Sequence, residues 1–156
     1  MIFGAPSTNR EYTANVKAGR FPLAPRVPLD EPFKNEAGVI QNLLLEEFAS
    51  VALIDSVAGA VRSNHYHKTD WHFMFVLSGE MHYYWKLPGL SGVYLEIFRP
   101  GELMFTPPRV VHATYFPVPT RIMTFARNIR DHEQHEADLV RCKLIEIIDG
   151  QVVVCE

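Results

Sequence analysis

From Val39 onward the chain alternates short apolar runs with turn signals, and this rhythm limits the fold more than any other feature. "SVALID", "WHFMFVL", "EMHYYWKL", "VYLEIF", "ELMFT", "VVHATYF" and "RIMTFARN" are all of strand length, with Ser78-Gly79, "LPGLSG", Pro100-Gly101 and Pro107-Pro108 between them. Strand-sized runs this closely spaced predict an all-β sandwich or barrel. "VIQNLLL" and "SVALID" read as two strands, or as one strand and a short turn of helix. "WHFMFVL" and "EMHYYWKL" flank Ser78-Gly79 with the spacing of a hairpin. "KLIEII-DG-QVVVC" predicts a second hairpin at the C-terminus, with Leu144 opposite Cys155 across an Asp149-Gly150 turn. In that register Cys142 and Cys155 are diagonal neighbours with α-carbons roughly 7–8 Å apart. That is beyond ordinary disulfide reach, so both are expected as free thiols. The one helical piece expected is short, near "RDHEQHEADL".

Residues 1–38 read differently. Pro6, Pro22, Pro25, Pro28 and Pro32 punctuate them, and each proline removes a ladder donor. An irregular N-terminal arm is expected there, crossing the domain or a neighbouring subunit and burying Phe21, Leu23, Val27 and Phe33. Residues 39–156 are then one barrel domain, and 156 residues suit a single core. The net charge of −3, with no basic run, argues against a nucleic-acid partner. The longest apolar stretch is broken by Glu46, Glu47 and Asp55, so no membrane span is expected. No secretory signal is legible at the N-terminus, and a cytoplasmic location is expected.

Within this β-rich frame, "RSNHYHKTDWHFMFVLSG" crowds His65, His67 and His72 together, beside Tyr66 and Trp71. On an extended segment, residues two apart share a face, so His65 and His67 present two imidazoles side by side. A metal needs further ligands from another strand. His112 enters an apolar strand after a proline turn, and His72 alternates with Met74 and Val76 on what would be an inward face. A lone histidine on such a strand is more often a core residue bonded to backbone. His132 and His135, in "DHEQHE", read as solvated, and His82 as a hydrogen-bonded strand histidine that could also reach the interior.

The two histidine-bearing stretches resemble the motifs of the cupin superfamily. The first motif has the form G-x5-H-x-H-x(3,4)-E-x6-G. Gly59, His65, His67 and Gly79 fall on it in register, with His72 at the glutamate. The second is G-x5-P-x-G-x2-H-x3-N. Gly101, Pro107 and His112 fit it, while Arg109 replaces its second glycine and Phe116 its asparagine. The resemblance implies a jelly-roll (cupin) β-barrel with one divalent transition metal in its mouth, and His65, His67 and His112 as ligands. His72 would be a fourth ligand, an outer hydrogen-bond partner or a base. Four imidazoles lack the hard oxygen donor, which shifts preference from manganese towards zinc, nickel, copper or iron(II).

"NHYHKTDWHFMFVLSG" and the tail "RNIRDHEQHEADLVRCKLIEI" are also similar to stretches of cupin domains in polysaccharide and nucleotide-sugar biosynthesis proteins. This implies an epimerase or isomerase acting beside a keto group, for which a metal would stabilise the enolate. His72, His82, Tyr84 and Tyr115 are the candidate proton carriers. Arg62 and Arg109 are candidates for gripping a phosphate or carboxylate. Tyr66 and Trp71, with Tyr83 and Trp85, could stack on a sugar or base. Two alternatives remain open: an iron(II) dioxygenase, which the apolar Met74, Phe75, Met81, Met104 and Phe105 would also suit, and a small-molecule sensor without catalysis. A homodimer is expected, since the arm and the C-terminal strand offer edges for exchange.

Overall fold

The computed structural model describes Met1 and residues 4–155; Ile2, Phe3 and Glu156, at the outer ends of the expected arm and barrel, lie outside them. In chain order the elements are α1 (Asn9–Lys17), β1 (Arg26–Val27), β2 (Phe33–Asn35), β3 (Gly38–Ile40), β4 (Ser50–Ser56), β5 (Ala60–His67), β6 (His72–Ser78) and β7 (Met81–Lys86). Then follow β8 (Tyr94–Phe98), β9 (Leu103–Thr106), β10 (Val111–Phe116), β11 (Thr120–Ala126), α2 (His132–Asp138), β12 (Leu139–Arg141), β13 (Ile145–Ile148) and β14 (Gln151–Val154).

Two five-stranded antiparallel sheets carry the fold, in the orders β1-β9-β6-β11-β4 and β12-β5-β10-β7-β8. Strand alternation sorts the apolar side chains into three layers. Met74, Val76, Met104 and Ile122 of the first sheet meet Met81, Tyr83, Phe98 and Phe116 of the second in the space between them. The outer face of the first sheet, with Phe73, Leu103, Phe105 and Phe125, packs against Tyr12 and Val16 of α1. The outer face of the second, with Tyr84 and Ala113, packs against Leu144 and Ile145 of the C-terminal segment.

That α1 exists corrects the expectation of an irregular arm. Thr8 caps it, its side chain accepting from Glu11 N, and Glu11 Oε2 accepts in turn from Ser7 N at 3.0 Å. Thr8-x-x-Glu11 is a helix-start signature, which the surrounding prolines obscured. Asn9, Tyr12, Thr13 and Val16 form the buried face. Gly19, at φ 70°, ends the helix by donating to Val16 O while Arg20 N donates to Asn15 O. Beyond it, β2 and β3 form a small hairpin whose six residues are all exposed. The expected boundary between residues 38 and 39 falls inside this hairpin. Of "VIQNLLL", only Val39 and Ile40 are in a strand.

The hairpin expected at Ser78-Gly79 does not form. β6 pairs with β9 and β11, whereas β7 pairs with β10 and β8, so the chain crosses here from one sheet to the other. The physical reason lies on β6, whose faces are both buried, Phe73 outward and Met74 and Val76 inward. Its neighbours are set by two cores rather than by the next turn. The crossing needs a glycine: Gly79 has φ 87°, and a Cβ there would lie 2.3 Å from Thr120 Oγ1 and 2.5 Å from Pro119 O. Gly79→Ala is therefore expected to cost on the order of 2–4 kcal/mol, from backbone strain plus overpacking. Urea unfolding would measure it, and a loss below about 1 kcal/mol would mean that the turn can rearrange.

The C-terminal hairpin matches the sequence reading. Asp149 and Gly150 both have positive φ, Ile145 pairs with Val154, and Cys155 N donates to Leu144 O at 2.8 Å. Cys142 and Cys155 are free. The short helix expected near "RDHEQHEADL" is α2, capped by Asp131. No helix among the described residues is long and apolar enough to cross a membrane.

Candidate metal centre

The inward direction of His65 and His67 depends on a defect in β5. Ala60 pairs with Phe116 and packs inward, so strict alternation would send His65 and His67 outward. Instead the register slips by one: His112 opposes His65, and Ala113 opposes Ser63, leaving Asn64 as an extra residue. Ser63 and Asn64 have φ of 70° and 54°, a left-handed bulge that asparagine accepts readily. The C-terminal segment clamps it. Asn64 Oδ1 accepts from Leu144 N at 2.8 Å and Ile145 N at 3.1 Å, and Asn64 Nδ2 donates to Ile145 O at 3.0 Å. Asn64→Ala is expected to lower stability by about 1–3 kcal/mol, because two backbone donors lose their acceptor. Thermal unfolding would test this, and an unchanged midpoint would show that the bulge holds without its clamp.

With the bulge in place, His65, His67 and His112 converge, their ligand nitrogens all within 4.8 Å of one another. The ring centroids of His65 lie 4.8 Å from His67 and 4.9 Å from His112. His67 and His112 are buried. His112 Nδ1 donates to Val110 O at 3.0 Å, and His67 Nδ1 donates to Asp138 Oδ2 at 3.2 Å. Each donation leaves Nε2 as a bare lone pair. His112 Nε2 has no hydrogen-bond partner although it is buried. Burial first, and then neighbouring His135, Arg130 and Arg141, pull His65 down to about 4. Burial, His65 and Arg130 pull His67 down to about 3. His112 is also held well below the ordinary range, chiefly by burial. All three are neutral at pH 7, the form that a metal ion needs.

The set fits a divalent ion: three unprotonated nitrogens face one another, two of them oriented by outer hydrogen bonds of the kind that fix metal-bound histidines. Asp138 is part of that outer layer. Burial raises its carboxyl, but donors from the Thr69 side chain and from Asp70 and Thr69 N–H outweigh this and hold it below the usual range. It arrives with α2, which precedes β12, and β12 pairs with β5 at Leu139–His67 and Arg141–His65. The same helix brings His135, which sequence reading left in solvent, to 5.6 Å from the His67 ring. His132 is exposed.

His72 is inward, as its alternation with Met74 and Val76 implied, but it is not in the three-histidine group. Its ring lies 5.3 Å from His67 and 5.5 Å from His112. Its Nδ1 accepts from Arg130 at 3.0 Å, and Arg130 also donates to buried Asp70 at 3.1 Å. Asp70, Arg130 and Asp138 were missed by sequence reading. Their partners lie 58 to 71 residues away in the chain, so no local pattern signals them.

The other candidates do not gather at the cluster. His82, Tyr84 and Tyr115 point to the outer face of the second sheet: Tyr84 and Tyr115 pack in the layer under the C-terminal hairpin, and His82 Nε2 donates to Glu80 Oε1 at 2.7 Å. Strand alternation separates them from His112, whose neighbours across β7 and β10 face inward. Trp71 is buried with Tyr12 and Phe73 on the outer face of the first sheet, as core. Arg62 is tied to Ser56 Oγ and Asp55 O at the far end of β5. Tyr66 and Arg109 do meet, lining a cavity of about 730 Å³ with Lys68, Arg127 and Phe21. Arg109, at the motif's glycine position, has φ 63° and donates its N–H to His67 O at 2.8 Å.

No family model and no curated protein matches the sequence. Solved structures do. QdtA, a sugar 3,4-ketoisomerase from Thermoanaerobacterium thermosaccharolyticum in complex with TDP, superposes with a TM-score of 0.60 at 16% identity, covering 76% of this chain and 89% of that one. WlaRA, a TDP-fucose-3,4-ketoisomerase from Campylobacter jejuni, gives 0.60 at 10% identity, covering 72% and 84%. The capsular polysaccharide assembling protein CapF from Staphylococcus aureus gives 0.56 at 16% identity, covering 74% of this chain but 32% of that one. At these identities the likeness is one of fold, the cupin fold that the two histidine motifs resemble.

Proposed function

We propose that this cupin-fold chain holds one divalent transition metal on His65, His67 and His112 and isomerises a keto sugar carried on a nucleotide. The observation that carries the metal reading is the buried His112 Nε2, which lacks a partner and faces two other neutral imidazoles. Three nitrogens without a carboxylate favour zinc, nickel, iron(II) or copper over manganese. A bound ion would supply positive charge to a carbonyl oxygen as a Lewis acid. The substrate class is supported by the ketoisomerase neighbours, among which QdtA carries TDP in one structure and TDP-4-keto-6-deoxyglucose in another.

The chain's own residues supply the rest. Moving a carbonyl to the adjacent carbon needs a base at a C–H bond and donors at the oxygens. His135, half-buried on α2 beside His67, is placed to carry a proton between the cluster and solvent. Tyr66, Lys68, Arg109 and Arg127 share a cavity whose cations suit a diphosphate and whose ring suits a base. Asp138 keeps His67 in the tautomer that exposes Nε2.

Elemental analysis of untagged protein comes first, followed by TDP-4-keto-6-deoxyglucose in deuterated water. One metal per chain and deuterium entering the sugar ring are expected. A metal-replete protein that exchanges no sugar proton in any keto-sugar nucleotide would defeat the isomerase reading. Stoichiometric iron with oxygen consumption would transfer the assignment to a dioxygenase.

The same chain is proposed to act as a homodimer. Phe33, Val39 and Ile40 of the β2–β3 hairpin are about 60% exposed, and Val51 and Leu53 of edge strand β4 more than half exposed. A lone two-stranded hairpin is marginal in water, and an apolar edge invites pairing. Light scattering should give twice the chain mass. Leu53→Asp with Ile40→Asp should give a monomer; a native monomer at micromolar concentration would overturn the proposal.

A further inference from the structure

We infer that Arg130 locks His72 as a hydrogen-bond donor through Nε2–H, and so keeps it out of the ligand set at the position where the cupin motif has its glutamate. Arg130 Nη2 lies 3.0 Å from His72 Nδ1. A guanidinium has only donors and does not lose its proton in a protein, so Nδ1 must be the acceptor. A neutral imidazole with Nδ1 accepting carries its hydrogen on Nε2, and then has no lone pair left for a metal.

Arg130 is itself held on two sides. Its Nε donates to Asp70 Oδ2 at 3.1 Å, and its backbone N–H donates to Ser50 Oγ at 2.9 Å. Asp70, 2% exposed, also accepts from Asn128 N at 2.9 Å. The guanidinium thus joins Asp70 to His72. Those two residues and His67 form the other set of potential ligand atoms within 4.8 Å. A cation of the chain's own already serves that set, which leaves the His65–His67–His112 set for an ion.

The cluster is therefore split by tautomer. His67 and His112 bind outward through Nδ1–H and present Nε2 lone pairs, whereas His72 accepts at Nδ1 and presents Nε2–H. Three ligands leave a coordination position open, where four would close a tetrahedral site. A substrate oxygen at the open position would find a neutral imidazole donor beside it. Arg130 is then a positioning residue and His72 the donor.

This rests on the metal reading only for the consequence, and the first test uses metal-free protein so that the two can fail separately. Ring-nitrogen correlation spectra of the 15N-labelled chain at pH 7.5 should show His72 with an unprotonated Nδ1 and a protonated Nε2, and His67 and His112 with the reverse. In Arg130→Met the His72 pattern should shift to Nδ1–H, while Arg130→Gln, which keeps an N–H donor, should retain it. If Arg130→Met fails to fold because Asp70 loses its cation, Asp70→Asn/Arg130→Met removes that charge. Zinc added to the native protein should shift the ring signals of three histidines, and a fourth, His72, only in the Met variant. Nδ1–H on His72 in the native protein, or an unchanged pattern in Arg130→Met, would overturn the inference. Failure to bind zinc would defeat the metal reading and leave the tautomer result standing.

Discussion

His112→Ala is expected to weaken zinc binding more than 100-fold, and His72→Ala to leave one bound metal per chain. The difference follows from the ring nitrogens. His112 contributes one of three converging nitrogens, and its Nε2 has no other partner. In the proposed site its loss would remove a direct ligand, a larger deficit than the 10–100-fold typical of losing an outer hydrogen-bond partner. His72 lies beside the three with Nδ1 engaged by Arg130. Asp138→Asn, which weakens the acceptor that orients His67, should fall between them at about 10–100-fold. Competition against a zinc chelator would rank the three variants, with circular dichroism to establish folding. Equal losses for His72→Ala and His112→Ala would show a four-histidine site and overturn the three-ligand assignment.

The metal-free protein is expected to lose stability steeply in mild acid. In the folded chain His65 titrates at about 4 and His67 at about 3, against the ordinary 6.5 they regain on unfolding. As pH falls below 6.5 the unfolded chain takes up protons that the folded chain refuses, so unfolding becomes easier. Each such histidine contributes a slope of about 1.4 kcal/mol per pH unit. Together they give roughly 2–3 kcal/mol per unit between pH 6.5 and about 4, flattening as the folded rings protonate. Above pH 6.5 the contribution to stability is fully present. A bound metal keeps the rings unprotonated and should move the loss to lower pH. Urea midpoints at pH 7, 6 and 5, with and without zinc, would measure both curves. A flat metal-free profile down to pH 5 would mean that the rings are not buried as a neutral cluster.

Much of the centre was legible because its spacing is local. His65, His67 and His112 stand in register with two short motifs, and alternation placed His72 with Met74 and Val76 on an inward face. Alternation alone gave the wrong reason for His65 and His67, however. They face inward because the bulge at Ser63 and Asn64 reverses the parity of β5, and the clamp on that bulge comes from residues 144 and 145. Alternation instead accounts for the misplaced proton carriers: His82, Tyr84 and Tyr115 share a sheet with His112 but not a face. The helix α1 was readable in Thr8-x-x-Glu11 and in the spacing of Tyr12 and Val16, yet prolines before and after it masked both.

By itself the amino-acid sequence determined the strand-length runs, the Asp149-Gly150 hairpin, the free thiols and the identity of the three converging histidines. The first three rest on interactions between residues close in the chain or on a fixed backbone period, and the histidines on the resemblance to the two cupin motifs. Only the tertiary structure decided that β6 and β7 lie in different sheets, that α2 roofs the cluster, and that Arg130 occupies His72 Nδ1. Those outcomes depend on which faces are buried once two sheets close on one core, and on hydrogen bonds between groups about 60 residues apart. A buried imidazole must satisfy its nitrogens with whatever the fold brings near, and no spacing rule in the chain can say what that will be.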